Sequence, residues 1–277
     1  MPVHQQYRVE WRKFMSQKIV FFDIDGTIWD EHMVIPESTR LAITKLKENG
    51  HKAFLCTGRA RAAVVSKELF DMGFDGIIAS CGTYIEMDNE IVFEELVPDE
   101  LVKKIVSVLK ENNMPVVLEG SRDYWIDEVG FEEDPYVDYL RELIGEHAHA
   151  LNEYSEDIRI NKFSADIIAD TDYDTIKAEL SGHYDILEHA GNVVEFVPKG
   201  FSKATGIKWL CDYLKLDMAD TYALGDSVND LEMLQTVGHG IAMGNATDVV
   251  KKAAEYVTDS LFEAGVYNAL SHYDLIK

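Results

Sequence analysis

Apolar residues in this chain come in short runs that stop at polar groups, and the runs switch between two periods. Ile19-Val20-Phe21-Phe22 is unbroken, β-branched and aromatic, and it ends on Asp23. That is the pattern of a buried strand whose carboxyl end meets solvent. Over 36–49 the period lengthens, with Leu41, Ile43 and Leu46 apolar, and Gly50 stands where a helix would be capped. Residues 51–57 return to a buried strand that stops at Thr57-Gly58-Arg59, and a helix is expected over about 60–72. Gly76-Ile77-Ile78-Ala79 is a third strand, ending at Ser80-Cys81-Gly82-Thr83. Such strand–helix alternation predicts an α/β fold with a Rossmann-like, doubly wound parallel sheet.

The pattern changes at Tyr84. From there to about Gly191 the strands are amphipathic, as in Tyr84-Ile85-Glu86-Met87 and Ile91-Val92-Phe93-Glu94, a hairpin turning at Asp88-Asn89-Glu90. Helical patterns fall near 98–112, 135–145 and 172–181, and strand-like runs near 115–118, 123–127, 163–169 and 184–188. A mixed sheet with helices on one face fits them. Residues 145–160 show no clear period. Alternation then returns: strands over 192–197, 221–226, 239–243 and 255–257, and helices over 202–214, 229–236 and from 262. The expected organisation is a core made of residues 1–83 and 192–277, interrupted by an inserted α+β cap domain over 84–191. Residues 1–14 fit neither pattern and receive no functional weight.

At 277 residues the chain is long enough for a full α/β domain and a smaller second one. No run of about 18 apolar residues suggests a membrane span, and residues 1–17 lack the apolar centre of a signal peptide. Cys56, Cys81 and Cys211 are far apart, without metal-ligand or disulfide spacing, so a reduced cytoplasmic setting is expected. The net charge of −24 argues against nucleic acid and against an anionic membrane as partners. It leaves small anionic substrates open, because a metal and one or two cationic side chains can reverse the field inside a pocket.

Candidate chemistry gathers at the strand ends. The two-residue period of a strand starts Asp23 and Asp25 on the same side, and Gly26 allows the tight turn after them. Two carboxylates so close repel, and a bound Mg²⁺ would relieve the repulsion. Thr57 closes the second strand, Lys203 opens a helix, and Asp226, with Asn229 and Asp230, closes a later strand. Taken singly, Thr57 would cap a helix, Lys203 would be a surface lysine and Asp226 an ordinary strand-end acid. Together they supply what phosphoryl transfer needs: a nucleophile, a proton donor, metal ligands and donors to phosphate oxygens.

At these residues the chain resembles the haloacid dehalogenase superfamily of phosphatases, in its Cof-like branch. Asp23-Ile24-Asp25-Gly26-Thr27 resembles the first motif, Thr57-Gly58-Arg59 the second, Lys203 the third and Gly225-Asp226-Ser227-Val228-Asn229-Asp230 the fourth. The short gap from Asp25 to Thr57 leaves no room for a cap, so the insert must fall before Lys203, as in that branch. The resemblance implies that Asp23 is the nucleophile, forming an aspartyl-phosphate, and that Asp25 is the general acid and base. It implies Mg²⁺ held by Asp23, the main-chain carbonyl of Asp25, and Asp226. Thr57, Gly58 and Lys203 would bind phosphate. Asn229 would touch phosphate or the metal shell, and Asp230 would orient Lys203 or a metal-bound water. The implied activity is hydrolysis of small phosphorylated metabolites, sugar phosphates or phosphorylated cofactors, by a monomer or homodimer. A phosphotransferase or mutase on the same site, and a receiver-like regulatory module, are the alternatives. Ser227 and Ser80-Cys81-Gly82 depart from the residues usual in the branch. Arg59 is expected to pair with a nearby acid. Glu119, Ser121, Arg122 and Tyr124 are candidates for lining the pocket under the cap.

Overall fold

The computed structural model describes residues 17–277 except Glu133, Glu153, Tyr154 and Glu156; the reading of residues 1–14 lies outside the described residues. The strands are β1 (Ile19–Phe22), β2 (Lys52–Cys56), β3 (Gly76–Ala79), β4 (Tyr84–Met87), β5 (Glu90–Glu94), β6 (Val116–Glu119) and β7 (Tyr124–Asp127), followed by β8 (Ala148–Leu151), β9 (Lys162–Asp166), β10 (Tyr184–Glu188), β11 (Val193–Pro198), β12 (Thr221–Gly225), β13 (His239–Ala242) and β14 (Tyr256–Val257). The α-helices are α1 (Glu37–Glu48), α2 (Lys67–Asp71), α3 (Asp99–Glu111), α4 (Pro135–Ile144), α5 (Tyr173–Leu180), α6 (Lys203–Leu214), α7 (Leu231–Thr236), α8 (Asp248–Ala253) and α9 (Gly265–His272).

An eight-stranded sheet runs β14-β13-β12-β1-β2-β3-β4-β5. Its first six strands are parallel, and β4 and β5 close one edge as an antiparallel hairpin. The doubly wound expectation holds here. In β1, Val20 and Phe22 pack on the side of α1 and α9, while Ile19 and Phe21 pack on the side of α6 and α7. A strand covered on both faces must be apolar throughout, and all of β1 is buried.

A second, six-stranded sheet runs β10-β11-β9-β6-β7-β8 and is antiparallel except for the β7–β8 pair. Leu118, Phe163, Val194 and Phe196 belong to the apolar cluster that includes Ile105 of α3 and Ile176 of α5. The opposite face of the sheet carries Val117, Tyr124 and Ile126, which pack with α4 and with Ala60 and Ala63 of the first unit.

Sheet membership differs from the expected boundaries at both ends. The 84–94 hairpin is bonded to β3 and so belongs to the first sheet, whereas β11, expected in the core, is bonded to β9 and β10 in the second. The hairpin carries mixed polar and apolar residues and β11 is apolar except for Glu195, and neither pattern says which sheet the strand joins. The helix expected over 60–72 is broken into a 3₁₀ turn, Arg61–Ala63, and α2, which Ser66 caps by accepting from the Leu69 amide. Tertiary packing outweighs local propensity there, because Ala60 and Ala63 are buried against the second unit. Part of the segment without a clear period becomes β8. Among the described residues, no helix is long and apolar enough to cross a membrane.

Candidate active site

The parallel strands deliver the candidate residues to one edge of the first sheet. Asp23 follows β1, and its amide donates to the Leu224 carbonyl of β12 at 3.0 Å. This backbone bond sets Asp23 beside the end of β12, where Asp226 emerges. Gly26 has φ +79°, and a Cβ there would run into the Asp226 carboxylate. Only glycine lets the first acidic turn lie so close to the second acid. Thr27 Oγ1 donates to Asp226 Oδ1 at 3.3 Å. Asn245, which no pattern in the sequence singles out, donates to the Gly26 carbonyl at 2.8 Å and accepts from the Leu261 amide.

Lys203 is the first residue of α6, a helix that Ser202 and Thr205 cap reciprocally. Its ammonium is buried and donates to Asp23 Oδ1 at 2.6 Å, Asp230 Oδ1 at 2.7 Å and Asn229 Oδ1 at 3.1 Å. The second oxygen of Asp230 accepts from the Asp226 and Ser227 amides. With both oxygens engaged, Asp230 anchors Lys203 and the turn rather than facing the open site. Ser227 Oγ donates to Asn229 Oδ1 at 2.7 Å, so serine at this position orients the asparagine.

Charge in this cluster is unbalanced. Carboxylate oxygens of Asp23, Asp226 and Asp230 lie within 4.8 Å of one another, and Lys203 is the cation among them. Burial and Asp230 push the Asp23 carboxyl well above its ordinary range, although Lys203 opposes them. Burial and Asp230 likewise push Asp226 up to about 6. Burial pulls the Lys203 ammonium down, but Asp23 and Asp230 outweigh it and keep the lysine charged. An all-oxygen donor set with surplus negative charge fits a hard divalent cation such as Mg²⁺.

Thr57 is buried after β2, and its hydroxyl oxygen accepts from the Arg59 amide at 3.1 Å. This bond tightens the turn after β2 rather than capping a helix, since the 3₁₀ turn that follows has Ala60 at its N-cap and no side-chain cap, and it leaves the Thr57 O–H free to donate. Arg59 pairs with an acid, as expected, and that acid is Asp25. Nε donates to Oδ2 and Nη2 to Oδ1, each at 2.7 Å, and Trp29 Nε1 donates to Oδ1 at 2.8 Å. Burial pulls the Asp25 carboxyl up, but the Arg59 fork and Trp29 outweigh it and hold it below its ordinary range.

The face of the second sheet turned toward the first unit carries charge as well as apolar residues. Lys162 of β9 lies 2.9 Å from Glu119 Oε2 of β6 and 2.8 Å from Glu195 Oε1 of β11. Tyr124 OH donates to Glu119 Oε2 at 3.1 Å. His189 Nε2 lies 3.1 Å from Glu195 Oε2, and Cys81 Sγ lies 3.6 Å from Glu195 Oε1. A Cβ on Gly58 would sit 3.5 Å from Cys81 Sγ, 3.7 Å from Asn229 Nδ2 and 3.9 Å from Glu195 Oε1. The loop after β2 thus lies between the acidic cluster and the second sheet. Of the residues expected to line the pocket, Glu119 and Tyr124 are buried on this face, while Arg122 is exposed and lies 3.8 Å from Asp123. Lys162 and Glu195 were missed. Their signal was present in Lys162-Phe163 and Val194-Glu195-Phe196, where a charge alternates with buried apolar neighbours.

The family described as haloacid dehalogenase-like hydrolase matches residues 20–270. A Bacillus subtilis protein named as a phosphatase, YkrA, is 29% identical over 275 residues, covering 95% of this chain and 100% of its own length. YitU of Bacillus subtilis, named as a 5-amino-6-(5-phospho-D-ribitylamino)uracil phosphatase, is 28% identical, covering 92% of this chain and 97% of its own. A solved structure from Geobacillus kaustophilus superimposes with a TM-score of 0.81 at 29% identity, over 94% of this chain and 100% of that one.

Proposed function

The chain belongs to the haloacid dehalogenase-like hydrolases, and on that premise we propose that it is a Mg²⁺-dependent phosphatase of small phosphorylated metabolites, working through an aspartyl-phosphate on Asp23. The observation that carries this reading is the Lys203 ammonium held between Asp23 and Asp230 at 2.6 and 2.7 Å, beside Asp226. A nucleophile, a phosphate-binding cation and metal-binding acids meet there. The relatives named as phosphatases support it, as does the named substrate of YitU, which joins a phosphate to a polyhydroxyl chain.

In this reading an Asp23 oxygen attacks phosphorus and the bond from phosphorus to the leaving oxygen breaks, while Asp25 gives that oxygen a proton. Water then attacks the same phosphorus and Asp25 takes its proton. Inorganic phosphate departs, and the Asp23 carboxylate is restored. The Thr57 hydroxyl, the Gly58 amide and Lys203 donate to the phosphoryl oxygens. Asp230 keeps Lys203 in place and Asn229 shares it. Asp23, the Asp25 carbonyl and Asp226 would hold Mg²⁺, whose charge offsets that of the phosphoryl oxygens. The Arg59 fork holds the Asp25 carboxyl below its ordinary range, so loosening of that pair would favour proton transfer through Asp25. The unit built on the second sheet, read from sequence as residues 84–191, serves as the cap that excludes water and selects the leaving group. Three buried free cysteines fit a cytoplasmic location.

The test is phosphate release from a panel of phosphomonoesters, with and without Mg²⁺, for wild type and Asp23→Asn. Release that needs Mg²⁺ and falls by ~10³-fold or more in the variant is expected. Release that survives the substitution would remove Asp23 as the nucleophile.

A further inference from the structure

Strand alternation places Glu119, Lys162 and Glu195 on one face of the second sheet, opposite the face covered by α3 and α5. All three are buried, with 6%, 4% and 8% of their surface exposed. Two carboxylates share one ammonium, which among the described residues has no other charged partner. Burial pulls the Lys162 ammonium down, but Glu119 and Glu195 outweigh it and keep it charged. Burial pushes Glu195 up, but Lys162 and His189 outweigh it and hold it ionised.

A buried ionic cluster is a poor stabiliser compared with apolar residues of the same volume. On the same face Val117, Tyr124 and Ile126 are packed in the ordinary apolar way. The buried ion pairs described on this face lie where the sheet meets the loop of Gly58 and Cys81, and Glu195 Oε1 comes within 3.9 Å of a Cβ position on Gly58. Gly58 is also the amide assigned above to phosphate, so the neighbourhood of Glu195 and Lys162 is within reach of a group attached to that phosphate.

We infer that Glu119, Lys162 and Glu195 form the leaving-group subsite, and that it takes an uncharged, hydroxyl-bearing group and rejects one carrying a second anion. This rests on the phosphatase reading for the position of the phosphate. A hydroxyl both donates and accepts, so it can give its hydrogen to a glutamate and take one from the ammonium at once. A carboxylate or second phosphate can do only the latter, and it meets the Glu119 and Glu195 carboxylates at an ammonium they already share, with the His189 imidazole engaged on Glu195. Like charges juxtaposed in a desolvated interface are a strong means of exclusion.

The experiment measures binding of sorbitol 6-phosphate and 6-phosphogluconate, which differ by one carboxylate, to full-length Asp23→Asn with Mg²⁺ by calorimetry. The polyol phosphate should bind tighter by ~30-fold or more. Adding Glu195→Gln, or Glu119→Gln should the first variant not fold, should shrink that ratio at least ~10-fold, because a neutral amide no longer repels the carboxylate. Equal binding of the two compounds, binding of neither, or a ratio unmoved by either glutamine overturns the subsite. Hydrolysis of p-nitrophenyl phosphate by wild type is followed separately. Its absence alongside preserved discrimination would sink the phosphatase reading and leave the subsite standing.

Discussion

Replacing Lys203 with methionine keeps the volume of the side chain nearly constant but removes its charge, so the cavity contribution is small. What remains is the electrostatic cost. The ammonium has three acceptors, at 2.6, 2.7 and 3.1 Å, and it is 2% exposed. Removing one partner of a buried ion pair typically costs ~3–5 kcal/mol, because the stranded charge cannot be solvated. In Lys203→Met both Asp23 and Asp230 lose their cation. Set against a total stability of ~5–15 kcal/mol for a domain, the loss should be visible as a much earlier urea transition. The measurement is urea unfolding followed by circular dichroism, in EDTA, at pH 7 and pH 5. The Asp23 carboxyl, already raised by burial, rises further in the variant. A carboxyl raised in the folded state takes up protons on folding, so its penalty is largest at high pH and shrinks as pH falls through the folded-state value. The variant should therefore lie ~3–5 kcal/mol below wild type at pH 7 and recover part of that deficit at pH 5. A deficit below ~1 kcal/mol at pH 7, or one that does not shrink at pH 5, would refute the claim that Lys203 compensates a buried acidic cluster.

Mg²⁺ should raise the unfolding free energy of the wild type by ~2.7 kcal/mol at a hundred times its dissociation constant, read as a later urea midpoint. Asp226→Asn should lose most of that gain, and an undiminished Mg²⁺ effect would exclude Asp226 from the metal site. The Arg59 fork depresses Asp25, so its stabilisation is present above the unfolded-state carboxyl value and is lost as pH falls through the folded one. Asp25 is half-exposed, which limits the contribution to less than ~1 kcal/mol. Wild type should lose that much more stability than Arg59→Ala between pH 6 and pH 3, and equal losses would show the fork to be energetically idle. Ser80 has φ +50°, and its buried hydroxyl lacks a partner among the described residues. Ser80→Gly should raise stability by ~1 kcal/mol as strain and the orphaned group disappear, while a destabilised variant would show that the loop is not strained there.

Much of this architecture was legible in the chain. β1 is four buried apolar residues closed by an acid, and a pattern that extreme has few readings. Asp23, Asp226 and Lys203 could be paired from the sequence because each closes or opens an element whose place in a parallel sheet is set by alternation. The hairpin at 84–94 and the strand at 193–198 were recognised as strands yet placed in the wrong sheets. Alternation encodes which face is buried; the partner is decided by tertiary packing. The break in the helix expected over 60–72 was hidden for a related reason, since Ala60 and Ala63 are helix formers whose destination is a surface supplied some sixty residues later, around Tyr124 and Phe131. The bond from Arg59 to Asp25 spans two strand ends, and no local pattern announces which acid an arginine will find.

The pairing of β1 with β12 has a consequence for synthesis. β1, β2 and β3 leave the ribosome early, with the β4–β5 hairpin closing one side of the sheet. The other side is the open edge of β1, whose partner is residues 221–225. About 130 residues separate the end of β5 from that partner, and at ~5–20 residues per second the edge waits on the order of 6–26 s for cover. It is among the most apolar edges a sheet can offer, with no charge, proline or bulge to blunt it. The nascent chain therefore depends on the second unit folding without joining that edge, and on chaperones shielding it meanwhile. A chain terminated anywhere between Glu94 and Thr221 would expose the edge for good, and such fragments should collect in the insoluble fraction of the cell.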